Sequence, residues 1–138
     1  MKKLMIAIAC FAFVLALTPA ASAQMAGQGI WRANIPYGFQ VENQKFPAGT
    51  YQVTVDAGRL ILVSEDGKDR LNALTIRTEA RETPEKSTLT FVNYNGYHFL
   101  RSIQVAGHEA GRELLKSKFE VELARKGAAG TTQVVAMK

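Results

Sequence analysis

Cysteine is almost missing from this 138-residue chain: the single one is Cys10. It falls inside a leader-like stretch in which Lys2 and Lys3 precede an unbroken apolar run, residues 4–17, and Ala21-Ser22-Ala23 supplies an A-x-A cleavage site. Residues 1–23 therefore read as a signal peptide, and the mature chain is expected to start at Gln24 without any cysteine. That excludes disulfides, thiolate catalysis and cysteine-ligated metal. The apolar run is shorter than the roughly 20 residues of a spanning helix. Ala7-Ile8-Ala9 before Cys10 also lacks the leucine of a lipoprotein signal. The expectation is export to the periplasm or beyond, with no stable membrane anchor after signal removal.

Histidine is nearly as scarce. His98 and His108 are the only imidazoles, and Glu109 beside the second completes the one two-histidine, one-carboxylate set the composition allows. Their spacing puts His98 within a strand and His108 in a loop past its end, so no metal is expected. There is no G-x-S-x-G elbow and no phosphate-binding glycine loop. Glu65, Asp66 and Asp69 are the nearest approach to paired carboxylates, and they fall in a turn where solvated charge is the ordinary explanation. No cofactor and no enzymatic activity are expected. Charge of one sign is not in excess either: once Lys2 and Lys3 leave, 15 basic residues face 12 acidic ones, a balance of +3. These charges are interspersed, which argues against nucleic acid as a partner.

What the chain has is β-structure. Residues 87–105 hold two β-rich runs joined by Asn95-Gly96, a dipeptide that accepts the positive φ a type I′ turn needs at both corners. The turn sets the register: Tyr94/Tyr97, Val92/Phe99 and Thr90/Arg101 share one face, while Asn93/His98, Phe91/Leu100 and Leu89/Ser102 share the other. Both faces are apolar, so both should be covered. Upstream, Trp31, Ala33, Ile35, Tyr37, Phe39 and Val41 alternate with polar residues as one half-buried strand, bent at Pro36 and Gly38. A turn starts at Asn43-Gln44, and Phe46-Pro47-Ala48-Gly49-Thr50 is another. Strands follow around Tyr51, Val53 and Val55, through Leu60-Ile61-Leu62-Val63, whose continuity suggests burial on both faces, and over residues 70–78, with Leu71, Leu74 and Ile76 as apolar members.

Residues 79–86 read as an exposed loop and residues 112–116 as extended. Ser117 with Glu120 has the form of a capping box opening a helix over residues 118–126, stopped by Gly127. Phe119 and Leu123, four apart, are expected to lay this helix over the Leu89/Phe91/Leu100 face. Residues 128–138 read as a loose tail or an edge strand. The fold expected for residues 24–138 is a single all-β domain, an antiparallel β-sandwich or flattened barrel of about seven strands with one short C-terminal helix.

The chain resembles a group of small exported bacterial proteins of acidobacterial type. The residues that carry this are the strand Ala33-Asn34-Ile35-Pro36-Tyr37-Gly38-Phe39, the turn Phe46-Pro47-Ala48-Gly49-Thr50-Tyr51, the 89–100 hairpin, Gly111-Arg112-Glu113-Leu114 and Lys116-Ser117-Lys118. The resemblance implies export and a β-rich fold and assigns no catalytic or ligand residue; Leu115 stands where many of the group carry proline. The functional expectation is a non-enzymatic envelope or extracellular binding or structural module, whose partner is an unknown protein or envelope polymer. Tyr94, Tyr97 and His98 at the hairpin end form its candidate interaction tip. The alternative is a carrier holding a small hydrophobic ligand inside a barrel.

Overall fold

The computed structural model describes residues 29–79 and 81–138, so the expected signal peptide and the Gln24 start lie outside the described residues. Alternation does make a strand at Trp31, β1 (Ile30–Ile35), which buries Ala33 and Ile35. Pro36 then breaks the ladder rather than bending it, because it has no N–H to donate. The chain resumes as β2 (Phe39–Val41) with different neighbours: antiparallel β3 (Gln44–Phe46) on one side and, through Gln40 and Phe99, a parallel contact on the other. The single strand expected over residues 31–41 is thus two, and the turn expected at Asn43-Gln44 is a hairpin whose corner is Glu42-Asn43.

Next come β4 (Gly49–Asp56), β5 (Arg59–Ser64) and β6 (Arg70–Glu79), an antiparallel meander in which β1 pairs with β4. Leu60 and Leu62 are fully buried while Ile61 and Val63 are partly exposed, so β5 is covered on one face rather than both. On β6 the inward residues are Leu71 and Ala73, and Leu74 and Ile76 point outward at 54% and 55% exposure. Period-two alternation explains this: Leu71 and Leu74 lie an odd number of residues apart and cannot share a face.

β6 joins two walls. Its residues 70–74 pair with β5, and its residues 75–79 pair with β9 (Ala110–Leu114). At the handover the Thr75 hydroxyl donates to the Gly58 carbonyl at 2.6 Å, and the Thr75 N–H reaches the same oxygen at 3.0 Å. The second wall continues through β8 (Tyr97–Gln104) and β7 (Thr88–Tyr94) to β10 (Thr131–Ala136). A ten-stranded mixed sheet results, folded on itself as an all-β, sandwich-like structure with one helix, α1 (Lys118–Arg125). Its ladders do not close, but one bridge links the ends. Ala33 pairs with Met137, and Arg32 and Lys138 exchange backbone hydrogen bonds of 2.9 Å each way.

Of the two readings of residues 128–138, the edge strand is the one found: β10 runs against β7 over six residues, and Met137 beyond it is buried. Between the walls Phe39 stacks on Phe46 at 5.3 Å and meets Tyr51 and Phe91 edge-on at 5.2 and 5.5 Å. Ile35, Val53, Leu60, Leu62, Leu89 and Ile103 belong to the same buried cluster. Each large side chain fully buried in this core contributes about 1.5–3 kcal/mol.

Tyr51 gives this core a pH signature. Its ring is buried, its hydroxyl donates to the Pro47 carbonyl at 2.5 Å, and burial followed by the charges of Asp69 and Asp66 pushes its pKa up to about 12. Burial moves Tyr37 in the same direction. A group whose neutral form is favoured by folding contributes stability below its unfolded pKa, here near 10, and loses it as pH rises to the folded value. For Tyr51 alone roughly 2–3 kcal/mol is withdrawn between about pH 10 and 12. An alkaline titration of tyrosinate absorbance should show a component near pH 12 that Tyr51→Phe removes.

Candidate functional site

The candidate surface is built on the outer side of the β7–β8 hairpin. Asn95 and Gly96 take φ of 51° and 90°, the left-handed corners foreseen from the sequence, and the Asn93 side-chain oxygen accepts from the Gly96 N–H at 2.8 Å. The register from Tyr94/Tyr97 to Phe91/Leu100 is as read from the turn. Beyond it a bulge intervenes, so Thr90 pairs with Ser102 and Leu89 with Ile103. Arg101 is the extra residue of that bulge, and a bulge is a means of re-aiming a side chain.

Arg101 is aimed at α1. Ser117 caps that helix by accepting from the Glu120 N–H at 3.1 Å, as the capping box anticipated. The Glu120 carboxylate does not return to the cap: it is buried and forms an ion pair with the Arg101 guanidinium. At the other end Gly127, at φ 85°, stops the helix, and Gly127 N–H and Ala128 N–H donate to the carbonyls of Ala124 and Leu123 at 3.2 Å each. The chain then crosses the hairpin so closely that a Cβ on Gly130 would sit 2.9 Å from both Val92 and Tyr94 atoms.

These contacts place the helix on the face of Tyr94, Tyr97, Phe99 and Arg101, opposite the one expected. Phe119 meets Tyr97 edge-on at 5.0 Å and tilts against Phe99 at 6.0 Å. Leu89, Phe91 and Leu100 need no helix, because that face lines the interior with Phe39 and the other core residues. Phe119 is 38% exposed, so the cost of a fully buried phenylalanine does not attach to it.

The expected tip residues divide three ways. Tyr94 is buried under residue 130 and against Phe99 at 6.0 Å. His98 turns inward and stacks on Tyr37 at 3.8 Å and 13°. Tyr97, at 44% exposure, is the one exposed residue of the three, and Phe119 stands beside it. A groove of about 250 Å³ runs from Tyr97 and His98 to Gln40 and Lys45, floored by Phe39 and Phe46. Sequence reasoning missed Phe119 as a surface residue, and the signal available was its neighbourhood, since it stands among charges in Lys116-Ser117-Lys118-Phe119-Glu120.

Other parts of the molecule answer the remaining candidates. His108 follows the far end of β8, about 20 Å of strand from His98, so the two imidazoles and Glu109 are not brought together. The acidic residues near Tyr51 border a cleft of about 380 Å³, where the Asp66 carboxylate accepts from the Ser64 hydroxyl at 2.6 Å and the Lys68 N–H at 3.0 Å. Those bonds, with the nearby Lys68 charge, hold Asp66 below the usual carboxylate range, which is the behaviour of a satisfied turn. A hollow at the opposite end of the walls, between Trp31, Val55, Val105 and Arg112, measures about 180 Å³. Small-molecule sites typically start near 300 Å³.

No protein-family model matches the chain, and no curated protein or solved structure is significantly similar to it.

Proposed function

We propose that this protein is an exported, non-enzymatic binding module that engages an envelope or extracellular partner through the surface shared by the hairpin tip and α1. The observation that carries this reading is the pairing of Tyr97 and Phe119, 44% and 38% exposed among the described residues and with ring centroids 5.0 Å apart. Exposed aromatic rings of this kind dominate binding energy at interfaces because each offers a large rigid area at small entropic cost. Export rests on the leader-like residues 1–23. The interior is occupied by aromatic side chains and the hollow beside Trp31 is small, so the carrier alternative gains no comparable support.

The test is retention of envelope components by the immobilised mature protein and by a Tyr97→Ser/Phe119→Ser variant of unchanged thermal midpoint. Each hot-spot aromatic contributes at least about 2 kcal/mol, so the double variant should bind at least a few hundredfold more weakly. Equal retention by both proteins, or none by either, contradicts the proposal.

A further inference from the structure

We infer that the hairpin corner is a site of spontaneous covalent modification, the deamidation of Asn95 through a succinimide, and that the Asn93 side chain holds this reaction in check. Asn95 is the one asparagine of the chain followed by glycine. Glycine has no Cβ to crowd the approach of its own nitrogen to the preceding side chain. Both residues are exposed, and a Cβ built on Gly96 would meet no described atom beyond its chain neighbours within 4 Å, so solvent base and water reach the peptide bond between them. Asp66-Gly67 is the other pair of this kind. There the side chain is a carboxylate, a poorer electrophile than an amide, and it is tied down by the Ser64 hydroxyl and the Lys68 N–H.

The reaction balances with water as its co-reactant. The Gly96 nitrogen gives its proton to solvent base and bonds to the Asn95 side-chain carbonyl carbon. The bond from that carbon to the amide nitrogen breaks, and ammonia leaves with a proton returned by solvent. Water then opens the ring. Opening at the side-chain carbonyl leaves an aspartate at position 95, and opening at the main-chain carbonyl leaves an isoaspartyl linkage that lengthens the main chain by one methylene. Either product adds a carboxylate to the turn, and the second breaks the two-residue loop that fixes the Tyr94/Tyr97 register. Two features of the fold oppose the first step. With φ of 51° and 90°, Asn95 and Gly96 are the corners of a type I′ turn, whose first corner has ψ of about 30°. That ψ sets the Asn95 Cβ nearly opposite the Gly96 nitrogen across the Cα–C bond, whereas ring closure needs the two eclipsed, so the turn must open first. The Gly96 N–H also donates to the Asn93 side-chain oxygen at 2.8 Å, a bond that is lost when the nitrogen attacks. The site is independent of what the tip binds.

The test is the rate at which the peptide holding position 95 exchanges NH2 for OH, followed by mass spectrometry. The mature protein is incubated in mildly alkaline buffer, once folded and once in guanidinium chloride. The folded protein should react more slowly than the unfolded one. Asn93→Ala removes one hydrogen bond of about 1 kcal/mol, so its folded form should react about fivefold faster than folded wild type. Asn93→Asp keeps an acceptor for the Gly96 N–H and should react no faster than wild type. Thermal midpoints report whether each variant is folded, and the comparison of folded with unfolded wild type stands without either. Equal rates for the folded and unfolded wild type, no reaction at position 95 in the unfolded chain, or a wild-type rate in folded Asn93→Ala overturns the inference.

Discussion

Glu120→Ala is expected to destabilise the protein by about 3–5 kcal/mol, the scale on which removing one partner of a buried ion pair acts. The Glu120 and Arg101 side chains are 3% and 13% exposed. Without the carboxylate, Arg101 keeps its position at the bulge but holds a guanidinium out of water with no opposite charge. The loss is not a capping effect, because the bond to Ser117 comes from the Glu120 backbone N–H and survives the substitution. Replacing both partners with apolar residues, as in Arg101→Met/Glu120→Leu, removes the orphaned charge and should recover most of the loss. By contrast, Arg32 and Glu65 are 69% and 63% exposed at 3.3 Å, and breaking that pair should change stability by at most about 1 kcal/mol. Urea unfolding of the singles and the double measures all of these, and a Glu120→Ala protein within about 0.5 kcal/mol of wild type would mean that α1 is not docked.

Phe91→Ala is expected to cost as much for a different reason. Phe91 has no exposed surface and lies at the centre of an aromatic group, meeting Tyr37 at 5.4 Å and Phe39 at 5.5 Å, both edge-on. Its removal loses the transfer free energy of the ring and leaves a void that two rigid walls cannot collapse to fill, about 3–5 kcal/mol together. Val134, on the neighbouring strand but 63% exposed, is the contrast: Val134→Ala should stay within about 0.5 kcal/mol. A small loss for Phe91→Ala, by chemical denaturation, would place the interior on the other face of the hairpin.

That choice of face is where sequence reasoning fell short, and the reason is general. The β7–β8 hairpin is apolar on both sides, so alternation says that both are covered and cannot say which covering is the second wall and which the helix. The turn itself was legible, because Asn95-Gly96 leaves few alternatives, and so was the Ser117 cap. The bulge was not. Nothing local marks Arg101 as an extra residue, since its reason is Glu120, 19 positions on and brought near only by the fold.

Partner choice was equally hidden. Pro36 and Gly38 flagged an interruption, yet only tertiary structure sends β2 to a parallel contact with β8 and leaves β1 with β4. Val134-Val135 gave a hint of β10, but its register depends on β7, and Met137 is bridged to Ala33 at the other end of the described chain. For the interaction surface, Tyr97 was found from its place at the turn, while Tyr94 and His98 were claimed by packing that the sequence does not display.

The position of Phe119 decides whether the hairpin tip and α1 form one surface, and nuclear Overhauser contacts from its ring report that position directly. With ring centroids 5.0 Å from Tyr97 and 6.0 Å from Phe99, cross-peaks from Phe119 to both rings are expected in the free protein in solution. Cross-peaks to Phe91 or Leu100 instead, or none to either Tyr97 or Phe99, would put the helix elsewhere and remove the basis of the docking surface.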